Sequence, residues 1–95
     1  MSWFPIWRKK TKMDEPFSVR PCGRATFEYQ EGERCVIVEG ELLIGNPDYL
    51  IYAGSIKQWQ SPHEHESISA AKRREIVANV GEYLRRSGND FDVQW

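Results

Sequence analysis

A chain of 95 residues supports one domain around one modest core, because a polypeptide of this length buries roughly two-thirds of its unfolded surface and requires neither metal nor disulfide. Hydrophobic residues at 40% and charged residues at 28% exclude a disordered chain. A formal net charge of -1 excludes bulk basicity as a reason to bind nucleic acid, but the charge is uneven: residues 1–24 carry a net +4, 25–69 a net −6 and 70–95 a net +1.

Residues 1–19 mix Trp3, Phe4, Pro5 and Trp7 with Arg8, Lys9, Lys10 and Lys12 and hold no period for long. They are read as an arm ahead of a single α+β domain over residues 20–95. Rings beside cations suit an interface, and docking on the domain's own edge is the simplest role for them. The apolar run precedes the basic one, the reverse of an export signal, and no stretch is long enough to span a membrane, so a cytoplasmic location is expected. Without an export signal, Cys22 and Cys35 are expected to be reduced thiols.

From Ala25 the pattern alternates, with Ala25, Phe27 and Tyr29 on one face and Thr26, Glu28 and Gln30 on the other, which predicts a half-buried strand. Glu31-Gly32 reads as a tight hairpin turn. Arg34 to Ile44 keeps Val36, Val38, Leu42 and Ile44 in phase across Gly40, a single long strand bent at that glycine. Asn46-Pro47-Asp48 is a turn, since proline presets its backbone and the Asn and Asp side chains bond back to nearby peptide groups. Tyr49 to Trp59 then reads as a third strand of an antiparallel meander, kinked at Gly54.

A polar loop, His63-Glu64-His65-Glu66, leads to the helix. Ile76, Val77, Val80, Tyr83 and Leu84 recur at helical spacing, Ser69 can cap the first turn, and Gly88 after Arg85 and Arg86 stops it. Asn89-Asp90 turns the chain into Phe91, Val93 and Trp95, a short final strand at the sheet edge. Strands first, then a helix and a strand, predict an α+β fold: an antiparallel sheet of about four strands with one C-terminal amphipathic helix packed on one face.

Chemical signals are sparse. His63 and His65 lack the spacing and the further ligands of a zinc site. Pro47-Asp48 followed by Ser55-Ile56-Lys57 has the outline of a metal-dependent nuclease motif, but Ser55 stands where the second carboxylate belongs. With no phosphate loop and no nucleophile elbow in the sequence, the expectation is a non-enzymatic protein with no cofactor, no metal and no small-molecule substrate. The six acids Glu28, Glu31, Glu33, Glu39, Glu41 and Asp48 lie in the strand-rich middle, where they either keep a strand face soluble or speed encounter with a basic partner. A small single-stranded nucleic-acid-binding or regulatory domain is the alternative, resting on Arg8, Lys9, Lys10 and Lys12 beside the tryptophans. The acidic middle opposes it.

Val38-Glu39-Gly40-Glu41, Tyr52-Ala53-Gly54-Ser55-Ile56, Trp59-x-x-Pro62, and Ile68-Ser69 opening a helix with Ile76 and Val77 together resemble the polymorphic-toxin immunity family numbered 74. The resemblance covers roughly residues 34–88 and is carried best by Trp59 and Pro62. It implies a small α+β protein encoded beside a bacterial toxin gene, as in contact-dependent growth inhibition. Its implied role is to bind and block the C-terminal toxic domain of a cognate effector, a nuclease, without turnover. The expected contact surface is Glu28, Glu31, Glu33, Glu39, Glu41 and Asp48, with Trp59, His63 and His65 at its rim. Monomer and homodimer both remain open, since an uncovered edge strand can pair with its twin.

Overall fold

The computed structural model describes residues 17–95, so the tryptophans and lysines of the arm lie outside the described residues. In chain order the elements are β1 (Phe17–Pro21), β2 (Thr26–Glu31), β3 (Arg34–Leu42), β4 (Tyr49–Tyr52), a 3₁₀ turn (Ala53–Ser55), α1 (Ala70–Arg86) and β5 (Phe91–Gln94). The strands form one sheet in the order β1-β2-β3-β4-β5. The expected α+β architecture is present, with one strand more than four. The extra strand is β1, whose residues 17–19 were assigned to the arm; it pairs antiparallel with β2 in the register Phe17↔Glu31 to Pro21↔Phe27.

The first four strands run antiparallel, whereas β5 is parallel to β4, with Tyr49 opposite Phe91 and Ile51 opposite Val93. A parallel neighbour needs a crossover, and the 3₁₀ turn, the polar loop and α1 supply it.

The long β3 strand serves two neighbours in turn. Residues 34–39 pair with β2, and Gly40, Glu41 and Leu42 pair with β4. Gly40 sits at the changeover because backbone crowds it: a Cβ there would lie 2.5 Å from the Leu50 carbonyl oxygen.

The Tyr49–Trp59 stretch is not one strand. It leaves the sheet after Tyr52, where the Ser55 hydroxyl donates to the Tyr52 carbonyl (2.7 Å) and accepts the Glu39 N–H (3.0 Å). From there Ala53, Ile56 and Trp59 are buried, a spacing of three rather than two. The Gln60 N–H donating to the Cys35 carbonyl (2.8 Å) helps close the edge of β3 that β4 does not reach.

Helix α1 begins as the sequence indicates, with the Ser69 hydroxyl accepting the Lys72 N–H at 3.1 Å. Its buried face is Ile76, Val77, Val80, Gly81 and Leu84. That face meets Phe27, Tyr29, Val36, Val38 and Ile51 from the sheet, closed by Ile56, Trp59 and Ile68. Each aliphatic chain fully buried here stabilises the fold by roughly 1.5–3 kcal/mol relative to exposure. Gly81 lets the helix approach β5, since a Cβ there would lie 2.3 Å from the Phe91 ring. Phe27 anchors the other side through edge-on contacts with Tyr49 and Tyr83, at 5.7 and 6.1 Å between ring centres.

Candidate binding face

Strand alternation divides the sheet. Phe17, Val19, Phe27, Tyr29, Val36, Val38, Ile51, Phe91 and Val93 point to α1. The register then places the intervening residues together on the face that α1 leaves uncovered. Arg20, Glu28 and Ile37 form one cross-strand row. Thr26 stands opposite Glu39, and Glu41 opposite Leu50, which is opposite Asp92. Tyr52 and Gln94 complete the face, and Cys35 lies on it opposite Gln30.

The carboxylates on this face are not equivalent. Glu28 is engaged by the Arg20 guanidinium across β1–β2, a contact that holds the arginine's pKa above its ordinary value. Glu41 accepts the Tyr52 hydroxyl, which pushes that phenol's pKa up. The Glu39 carboxylate has no ion-pair or hydrogen-bond partner among the described residues. Between these acids lie Ile37, Leu50 and Tyr52, all half-buried. Beside Glu41, where β3 changes neighbour, a cleft of about 430 Å³ lined by Arg24, Thr26, Gly40 and Leu42 adds relief to the surface.

The remaining acids proposed for the contact surface lie elsewhere. Glu31 is in phase with Phe27 and Tyr29 and faces the helix. It accepts the Tyr29 hydroxyl (2.6 Å) and the Lys72 ammonium (2.8 Å), while the Asn79 amide donates to the same Tyr29 oxygen (2.9 Å). Burial alone would raise the Glu31 pKa, but these bonds and the Lys72 charge outweigh it and hold the carboxyl below its ordinary value. Burial and the bond to Glu31 push the Tyr29 phenol up. Glu33 is exposed at the β2–β3 turn. Asp48 lies at the far end of the sheet, where its carboxylate accepts the Asp90 N–H at 2.9 Å.

Trp59 is a core residue rather than a rim residue, with 6% of its surface exposed. In the polar loop, Glu66 receives both Nε (2.8 Å) and a terminal nitrogen (3.1 Å) of Arg34, which ties the loop to the start of β3. His65 is exposed, 3.7 Å from Glu66. His63 is half-buried, and its Nδ1 has no hydrogen-bond partner. Cys22 and Cys35 are free thiols. Among the described residues no three His, Cys, Asp or Glu side chains come together as metal ligands, and no helix is long and apolar enough to cross a membrane.

Ile37, Leu50 and Tyr52 were not assigned to the contact surface from the sequence. Their signal was there: Val36-Ile37-Val38 and Tyr49-Leu50-Ile51-Tyr52 are unbroken apolar runs, so apolar side chains must project from both faces of β3 and β4.

The profile of the family described as Immunity protein 74 matches residues 22–94, which takes in the sheet from β2 onward and all of α1. The chain belongs to the Immunity protein 74 family. No curated protein and no solved structure matches it. Membership implies a protein toxin as the partner of this immunity-family fold.

Proposed function

We propose that the protein neutralises a cognate bacterial toxin by stoichiometric binding, covering the active site or substrate channel of a C-terminal toxic domain of the kind used in contact-dependent growth inhibition. The toxin is a nuclease, and the protein acts in the cytoplasm without catalysis of its own. The observation that carries this reading is a five-stranded sheet with one face that, among the described residues, the single helix leaves open, bearing Glu28, Glu39, Glu41 and Asp92, in a chain of the Immunity protein 74 family. A nuclease surface must be cationic to hold phosphates, so acids on a preformed sheet supply complementary charge with little ordering cost.

The reading is tested by co-expressing the protein with the toxin domain encoded by the gene next to its own. Growth should be rescued. Failure of a well-expressed, folded protein to rescue growth would remove the proposal.

A further inference from the structure

Resting on that reading, we infer that the toxin is held by the uncovered sheet face, through an apolar centre of Ile37, Leu50 and Tyr52 with Glu39 and Glu41 at its border. The partner surface this fits is an apolar patch flanked by lysine or arginine side chains. The helix side takes no part.

The inference rests first on how charge is divided between the two sides of the molecule. Among the described residues the helix side presents Lys72, Arg73, Arg74, Arg85 and Arg86 against Glu31, Glu75 and Glu82, whereas the open face presents Glu28, Glu39, Glu41 and Asp92 against Arg20 and Arg24. A cationic partner is therefore drawn to one side and repelled from the other, which orients the encounter before contact.

The second support is the anatomy of the face. Stable interfaces combine a desolvated apolar centre with a polar rim, and aromatic residues dominate their energetics. Ile37 and Leu50 supply the apolar centre, and Tyr52 supplies a ring whose hydroxyl is already oriented by Glu41. Arg20 already neutralises Glu28, which leaves Glu39, Glu41 and Asp92 as the acids with charge to offer a partner.

The third is that Glu31, Glu66 and Asp48, three further acids of the middle segment, are committed. Glu31 is bound to Lys72 and Tyr29, Glu66 to Arg34, and Asp48 to the Asp90 backbone. Removing any of these would act on folding rather than on binding.

The experiment compares purified variants for binding to the toxin domain encoded by the adjacent gene, with circular dichroism to confirm the fold. The double variant Glu39→Lys/Glu41→Lys and the single variant Ile37→Arg should each weaken binding by about a hundredfold or more, and the first should slow association most at low salt. Arg74→Glu and Glu33→Lys, on the helix and at the hairpin turn, should change affinity by less than about threefold. Wild-type binding that survives the open-face changes but fails on Arg74→Glu would overturn the inference and leave the immunity reading standing. Absence of wild-type binding would remove both.

A labelling experiment needs no change on the contact residues themselves. In a Cys22→Ser background, maleimide modification of Cys35 on the open face should slow on addition of the toxin domain. An unchanged rate in a saturated complex would contradict the assignment.

Discussion

Glu31 separates folding from recognition, and Glu31→Gln tests the separation. In the native protein the carboxylate sits under the helix with a quarter of its side chain exposed (25%), holding Lys72 at 2.8 Å and the Tyr29 hydroxyl at 2.6 Å. The amide can still accept from Tyr29, so the loss is chiefly that of the charge-assisted bond to Lys72, which keeps Glu75 at 3.1 Å as a second partner. A bond of that kind contributes about 1–2 kcal/mol. For a domain of this size the loss lowers the midpoint of thermal unfolding by roughly 5–15 °C. Because the Glu31 pKa is lower folded than unfolded, its contribution is complete above the ordinary carboxyl value of 4.5 and disappears as the pH falls through the folded value. Thermal melts between about pH 7 and pH 3 should therefore show wild type losing stability on acidification and the variant losing less. Glu66, held down by Arg34, keeps the rest of the slope in both proteins. Toxin neutralisation should persist in the folded variant. An acid slope identical to wild type, or a neutral-pH midpoint equal to it, would refute the role assigned to the network.

Gly40→Ala should lower stability by about 1–3 kcal/mol in chemical denaturation, because the new Cβ meets the Leu50 carbonyl at the changeover of β3. Gly54→Ala, with nothing within 4 Å of its Cβ, should change it little; equal effects at the two positions would contradict the packing described. Ser69→Ala should cost about 1 kcal/mol and Ser69→Asp should restore it, as read from urea midpoints. Arg34→Ala should speed amide hydrogen exchange across residues 60–67 while α1 stays protected, because the guanidinium joins that loop to β3.

Much of this fold was legible where a single period governs a stretch. The alternation from Ala25 to Tyr29 and the 3.6-residue stripe of α1 survive in the structure because each element buries one face against the same core. Residues 17–21 escaped because five residues ending in proline carry too short an alternation beside a basic arm. The residues after Tyr52 were read as strand from their apolar and aromatic content, but Ala53, Ile56 and Trp59 bury at intervals of three. The direction of β5 depends on how the crossover folds back, which no local pattern encodes. The candidate surface was half legible. Glu28, Glu39 and Glu41 do share a face with one another, whereas Glu31 is in phase with Phe27 and Tyr29, so its parity already assigned it to the helix side.

Inhibition by occupancy is measured by titrating this protein into a fixed amount of the adjacent-gene toxin, at a concentration far above the dissociation constant, while toxin activity is followed. Activity should fall linearly and reach zero at one equivalent of protein. Complete inactivation at a small fraction of an equivalent would show turnover and contradict it, as would full activity in excess protein.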